Sequence, residues 1–224
     1  NFKAPITDTD NWPRVVQLAW QLHDENGKII KHNASLVKPE GYTIPYDSEK
    51  VHGISTALAE SEGKPLDEVI AAFLYDLKQA TFIVGHNLTF DINVLGCEFI
   101  RLGMDSPLDS LPVLDTCTEE SAALVQLSGG KGGKFKLPTL SELYFFLFKE
   151  SFVEAHNATA DVEATTRCFF ELIRRAHFSE ESLGMDSGYF SRFQETNPEP
   201  ISLLGIQHQN LKEASKALKK TNQS

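Results

Sequence analysis

The sequence predicts an α/β fold in which a mixed sheet is covered by helices. Two alternating strands come first, an amphipathic helix follows, and short apolar strands then alternate with helices. A chain of 224 residues fits one large domain with an appendage. We expect the domain over residues 1–178 and a C-terminal tail with a short helix over residues 179–224.

The first half of the chain predicts a hairpin and a helix. Apolar and polar residues alternate over 14–22, which is typical of a half-buried strand. Asn26-Gly27 predicts a tight turn, and residues 29–37 predict the returning strand. Residues 39–47 contain glycine and two prolines and predict a loop. Apolar residues at helical spacing predict an amphipathic helix over 66–77.

The second half predicts two buried strands with helices between and after them. The short apolar runs 81–84 and 112–115 favour strands of the buried parallel kind. A helix follows the first of them, with Asp91 in its first turn and Gly103 at its end. The last strong helix is expected over 160–176.

Three further segments carry local signals. Residues 128–136 (SGGKGGKFK) predict a flexible basic loop, and Phe135 stands where a nucleoside-triphosphate loop needs Ser or Thr. Thr139 and Glu142 have the spacing of a capping box at the start of a helix. Residues 209–220 favour a short lysine-bearing helix in the tail.

Composition limits the location and the partners of the protein. The net charge of −10 argues against tight non-specific binding to a polyanion, although a site that gathers carboxylates around cations is itself acidic. No apolar run approaches the ~20 residues that span a bilayer. The three cysteines lack metal-ligand spacing. We therefore expect a soluble, cytoplasmic protein that does not enter a membrane.

Two aspartates and a histidine form the strongest candidate site. Asp91 and Asp161 each begin a predicted helix after a turn, and carboxylate oxygens are the ligands that hard divalent cations prefer. His156 precedes Asp161 by five residues, so its imidazole can face a water on the same cation and take a proton at neutral pH. The pattern predicts metal-dependent hydrolysis of a phosphodiester.

These motifs resemble those of the DEDDh-type 3′–5′ exonucleases, the family that includes the proofreading subunit of bacterial DNA polymerase III. Residues 87–91 (NLTFD) are similar to the second exonuclease motif of that family. Residues 156–161 (HNATAD) are similar to the third motif, and 51–54 (VHGI) to its His-Gly-Ile segment. The resemblance covers about residues 12–178 and implies a ribonuclease-H-like fold.

The resemblance also implies roles, a cofactor and partners. The cofactor would be Mg²⁺ or Mn²⁺ in a two-ion site, and the partners would be 3′ ends of single-stranded DNA or RNA, with a DNA polymerase subunit as a further partner. A role in replication proofreading or DNA repair would follow. The implied site comprises the metal ligands Asp91 and Asp161, the base His156, and the substrate-binding residues His52, Asn87 and Phe90.

The first motif of the family, a strand bearing Asp-x-Glu, has no match here. Asp8 and Asp10 lack a preceding apolar run, and we interpret them as ordinary loop acids. We expect the sheet to lack its first, central strand. We also expect the chain as given to have weak or no nuclease activity, because only two of the four metal-binding carboxylates of the family have a match.

Other interpretations stay open at this stage. A non-catalytic nucleic-acid-binding or scaffold protein that lost the first motif is the main alternative. A metal-independent hydrolase has less support, because no Ser or Cys nucleophile stands in a recognisable elbow. His86 and Asn87 can serve simply to bind backbone groups after their strand, and Phe90 can belong in part to the core.

Overall fold

A computed structural model describes residues 3–152 and 157–202. The strands are β1 Gln17–His23, β2 Ile29–Leu36, β3 Ile83–Gly85 and β4 Val113–Asp115. The helices are α1 Tyr46–His52, α2 Thr56–Glu62, α3 Leu66–Leu77, α4 Thr89–Arg101, α5 Glu119–Val125, α6 Leu140–Phe148, α7 Ala158–Arg174 and α8 Tyr189–Thr196. Short 3₁₀ turns lie at Leu108–Ser110 and Lys131–Gly133.

The described strands form two pairs. β1 and β2 are antiparallel, with Trp20 opposite Asn33, and Gly27 closes the hairpin with a positive φ of 80°. β3 and β4 are parallel, with Gly85 opposite Asp115. The sequence-based prediction of a hairpin and of two parallel strands is therefore confirmed. In the described ranges the two pairs are not hydrogen-bonded to each other. The expectation that the sheet lacks its first, central strand stays a prediction.

Helices pack around these strands. α3 and α4 share an apolar cluster that includes Ile70 and Phe99, with Leu18 of β1 packed against it. α7 contacts β1, β3, α6 and α8, and one of its rings, Phe169, lies 6.2 Å from the Phe82 ring beside β3. The observed architecture is the expected mixed α/β arrangement, and α7 is the helix that joins its parts.

A buried carboxylate fixes the N-terminal segment to α4. Glu98 is fully buried and accepts hydrogen bonds from Arg14 Nε at 3.0 Å and from Val15 N at 2.8 Å. Arg101 pairs with the same carboxylate at 3.1 Å and reaches the Pro13 carbonyl at 3.3 Å. A buried charge is tolerated only when it is paired and hydrogen-bonded, so loss of either arginine would be costly.

Three short helices occupy segments without a helical apolar pattern. α1 begins inside the segment 39–47 predicted as loop. The Ser55 side chain caps α2 and the Thr118 side chain caps α5, each accepting from a backbone N–H three residues later. Helices of seven residues show less than two turns of periodicity, so a pattern search misses them. The capping box between Thr139 and Glu142 at the start of α6 is confirmed.

The last helix of the described residues, α8, packs onto α7 and the hairpin. The Phe193 ring stacks on Phe170 at a centroid distance of 5.8 Å and an angle of 8°, and the Tyr189 hydroxyl donates to the Glu25 carbonyl at 2.6 Å. The sequence did not predict this helix. The tail helix that it did predict, at 209–220, lies outside the described residues. The division into domain and tail at residue 178 stays a prediction.

No helix of the described ranges has both the length and the apolar content needed to cross a bilayer.

Replacing Phe193 with alanine tests whether α8 is part of the packed structure. Phe193 is 1% exposed, so Phe193→Ala should lower the free energy of unfolding by about 3–5 kcal/mol in urea denaturation. Phe145 on α6 is 54% exposed and provides a matched control. Phe145→Ala should change the free energy of unfolding by less than about 1 kcal/mol. Equal effects of the two substitutions would contradict the packing role of α8.

Candidate active site

Asp91 lies in the first turn of α4, which begins directly after β3. The N-cap residue of this helix, Leu88, makes no side-chain capping hydrogen bond. Instead, the Asp115 carboxylate accepts from the backbone N–H groups of Asn87 and Leu88, both at 2.8 Å. Its Oδ1 atom also accepts from Cys117 N at 2.7 Å. A carboxylate at a helix N-terminus satisfies donors that have no partner within the helix.

Asp115 was not among the residues predicted for the site. Both of its oxygens bind backbone groups, so its role is to hold the turns after β3 and β4 together. The available signal was its position at the end of a short buried strand, where parallel strands bring such residues side by side. The hydrogen bond to Asp115 holds Asn87 in an uncommon conformation, with its backbone in the left-handed region at φ of 61°.

Asp161 lies in the first turn of α7 and does not cap it. Asn157 is the N-cap, and its side chain accepts from Thr159 N at 3.0 Å. The Asp161 N–H donates to the Asn157 carbonyl at 2.9 Å. Gln17 of β1 accepts from Ala158 N at 3.3 Å, which fixes the start of this helix beside the hairpin. The N-cap residue of α7 is therefore Asn157 rather than Asp161.

The Asp91 and Asp161 carboxylates are close enough to affect each other electrostatically. Burial among protein atoms raises the pKa of Asp91, and the negative charges of Asp115 and Asp161 raise it further. Asp91 nevertheless keeps an exposed surface, which leaves it accessible to an ion. A cation beside these carboxylates would remove the repulsion and favour the ionised form.

The remaining predicted residues differ in their surroundings. His156 lies outside the described residues. Asn87 is exposed, and Phe90 is 39% exposed with its ring 6.3 Å from the buried Trp12 ring, so Phe90 belongs partly to the core as expected. His52 accepts from Ile54 N at 3.0 Å at the end of α1, and burial lowers the pKa of its imidazole. The described hydrogen bonds do not join His52 to Asp91.

The described residues fit a divalent cation only in part. Asp91 and Asp161 could supply carboxylate oxygens, whereas those of Asp115 accept from backbone groups. In the ranges 3–152 and 157–202, no group of three or more His, Cys, Asp or Glu side chains is arranged to hold a metal ion. Two carboxylates alone give a weak site for a cation that prefers six or more oxygen ligands.

The fold is of the α/β class, and Asp91 and Asp161 lie at the starts of two of its helices. The chain belongs to the exonuclease family: residues 13–169 match the family model RNase_T, described as exonuclease. That match covers both Asp91 and Asp161. It makes the protein a relative of 3′–5′ exonucleases and supports the ribonuclease-H-like fold predicted from the motifs.

Similar proteins fall in the same group. The chain is 28% identical over 174 residues to the 3′–5′ exonuclease DinG of Bacillus subtilis, which covers 76% of this chain and 17% of that protein. It is 29% identical over 143 residues to human three-prime repair exonuclease 1, covering 61% of this chain and 45% of that protein. This chain therefore corresponds to less than half of the length of either relative.

The solved structure of exonuclease I shows the same fold. Exonuclease I of E. coli in complex with a dT13 oligonucleotide superposes with a TM-score of 0.59 at 20% identity, over 82% of this chain and 43% of that one.

Replacing Asp91 with asparagine should raise stability at neutral pH. Because the pKa of Asp91 is raised in the folded state, its ionised form destabilises the fold, and this cost disappears as pH falls toward the ordinary value of 3.8. Asp91→Asn should therefore increase the thermal midpoint at pH 7, with a gain that shrinks on acidification in the absence of metal. Asp105→Asn, at an exposed position, is the control and should leave the midpoint unchanged. A lower midpoint for Asp91→Asn at pH 7 would contradict this explanation.

Proposed function

We propose that the protein is a metal-dependent 3′–5′ exonuclease that hydrolyses the terminal phosphodiester bond at the 3′ end of single-stranded DNA. The observation that carries the proposal is the pairing of Asp91 with Asp161 at two helix starts within a chain of the exonuclease family. Support for the substrate comes from E. coli exonuclease I, a structure with the same fold in complex with a dT13 oligonucleotide.

The chemistry divides among three residues. Asp91 and Asp161 would hold Mg²⁺ or Mn²⁺ through their carboxylate oxygens. The bound cation would neutralise charge on the phosphoryl oxygens and lower the pKa of a bound water. His156, in the segment that leads into α7, would take the proton of that water as general base, since a neutral imidazole can accept it near pH 7.

Three residues would contact the terminal nucleotide. Phe90 exposes part of its ring beside Asp91, and an aromatic face stacked on a base contributes about 1–3 kcal/mol. Asn87 has an exposed amide at the same turn, which is suited to a hydrogen bond with the sugar or phosphate. His52 is held neutral by burial and would approach the 3′ end from the end of α1.

The chain as given should bind metal weakly and cleave slowly. Neither β1 nor β3 is paired on its second edge within the described ranges, so a strand bearing Asp-x-Glu would find hydrogen-bonding partners between them. We expect such a strand to complete the metal cage and to restore activity. The cellular role we propose is replication proofreading or repair in the cytoplasm. The 23% identity to a PolC-type DNA polymerase III of Pediococcus pentosaceus favours a polymerase partner.

A second candidate is a non-catalytic protein that binds nucleic acid. The partial metal fit of the described residues favours it. The two candidates differ in one measurable respect, because only an exonuclease shortens a strand from its 3′ end when the metal cage is completed.

The decisive experiment uses an oligonucleotide labelled at its 5′ end. With Mn²⁺ and an added N-terminal strand bearing Asp-x-Glu, the protein should produce a ladder that shortens from the 3′ end, whereas the 224-residue chain should give a rate at least tenfold lower. Asp161→Asn in the extended protein should reduce the rate by about 100-fold or more. A 3′-phosphorothioate end should block degradation.

Two outcomes would count against the proposed activity and its metal site, and a third against the expected weakness of the 224-residue chain. An extended, folded protein that binds the oligonucleotide without shortening it would favour the non-catalytic candidate. Full activity after Asp161→Asn would exclude the assigned metal ligand. Full Mn²⁺-dependent activity of the 224-residue chain would show that two carboxylates suffice.

A further inference from the structure

His86 connects three segments beside the candidate site. It follows β3 and directly precedes Asn87, and its ring is half-buried. Nδ1 lies 2.9 Å from Thr116 Oγ1, just after β4, and Nε2 lies 3.0 Å from the carbonyl oxygen of Pro138. Pro138 is buried and ends the glycine-rich loop that leads into α6. A single side chain therefore joins two strand ends and this loop.

The donors and acceptors define the tautomer of the ring. A carbonyl oxygen only accepts, so the contact with Pro138 requires a proton on Nε2. Burial lowers the pKa of His86, while the Pro138 bond and the charge of Asp115 oppose that effect. The Thr116 hydroxyl has one proton and lies near two acceptors, His86 Nδ1 at 2.9 Å and the Gly85 carbonyl at 3.0 Å. Because Nδ1 of the neutral ring carries no proton, we assign the hydroxyl proton to Nδ1. The Gly85 carbonyl keeps its hydrogen bond from Thr116 N at 2.9 Å.

The turn that His86 holds is an unfavourable one for the backbone. Asn87 has φ of 61°, a region that costs energy for residues other than glycine and persists where the surroundings impose it. On one side of the turn, Asp115 accepts from the N–H groups of Asn87 and Leu88. On the other side, the ring of His86, the residue before Asn87, is hydrogen-bonded to Thr116 and Pro138. Thr116 is fully buried, so its hydroxyl offers a fixed partner.

We propose that His86 is a positioning residue for the exonuclease site. Its ring joins the loop ending at Pro138 to the ends of β3 and β4. These bonds fix the turn that presents Asn87, Phe90 and Asp91 to the 3′ end. This deepens the proposed function and rests on it for the substrate. The charged group that faces the ring is Asp115, and the Cys117 thiol shares the Pro138 carbonyl at 3.5 Å.

Two amide variants distinguish the hydrogen bond of His86 to Thr116 from its hydrogen bond to Pro138. The amide nitrogen of Gln reaches approximately the position of Nε2, so His86→Gln keeps the Pro138 bond. The shorter Asn reaches approximately the position of Nδ1, so His86→Asn keeps only the Thr116 bond. His86→Ala removes both. His23 is the matched control, because it is also half-buried, has a pKa lowered by burial and binds a carbonyl, that of Gly27, in the hairpin.

The experiment measures amide hydrogen exchange and oligonucleotide binding on the full 224-residue chain. We expect His86→Ala and His86→Asn to accelerate exchange at Asn87 and Leu88 by roughly tenfold and to weaken binding of a fluorescent oligothymidylate in Ca²⁺ by roughly tenfold. His86→Gln should stay within about threefold of wild type in both measurements. His23→Ala should leave both unchanged while lowering the thermal midpoint.

The result has two independent parts. Unchanged exchange at Asn87 and Leu88 in His86→Ala, or equal acceleration in His23→Ala, overturns the positioning role. Failure of His86→Gln to rescue exchange overturns the importance of the Pro138 bond. The proposed function fails separately, if the extended protein does not shorten the oligonucleotide, and the exchange data on the 224-residue chain then still decide whether His86 fixes the turn.

Discussion

The candidate site depends on one carboxylate that binds backbone rather than metal. Asp115 accepts three backbone N–H groups, two from the turn after β3 and one from the turn after β4. Hydrogen bonds to a charged acceptor contribute roughly 1.5–3 kcal/mol each, which is enough to impose the left-handed backbone of Asn87. Parallel pairing of Gly85 with Asp115 makes this contact possible. The position of Asp91 in the first turn of α4 follows from it.

The same arrangement concentrates negative charge. Asp115 holds the turn, and α7 places Asp161 nearby from another part of the chain. Burial and the negative charges of Asp115 and Asp161 together raise the pKa of Asp91. The fold thus places like charges together at a cost to its own stability, as expected where a cation completes a site. Packing elsewhere offsets that cost, notably in the aromatic cluster of Phe170 and Phe193 and around the buried Glu98.

The sequence predicted the parts of this fold that have a strong local signal. The hairpin, α3, α4, α6 and α7 follow from periodicity, a turn dipeptide and a capping box, and each is present. The charges of Asp91 and Asp161 interact across the fold, and their assignment as metal ligands stays a prediction. Asp161 is not the helix cap that a lone Asp at this position suggests.

Other features were not predictable from local patterns. The helices α1, α2 and α8 are short, and α8 is stabilised by aromatic contacts with distant residues. Asp115 and His86 act through bonds to residues about 30 or more positions away, which no local spacing reveals. Parallel pairing of β3 with β4 brings Asp115 and Thr116 to the turn after β3, and the chain beyond α5 adds Pro138, so these contacts emerge only once the topology is known.

The central claim is that Asp91 and Asp161 bind the same cation. Calorimetric titration of Mn²⁺ into wild type, Asp91→Asn, Asp161→Asn and the double variant tests it most directly, with Asp105→Asn as control. A shared ion predicts that either single substitution weakens Mn²⁺ binding by at least about tenfold and that the double variant is little worse than either, because the two effects are coupled. Wild-type affinity in both single variants, or losses that simply add, would contradict the claim.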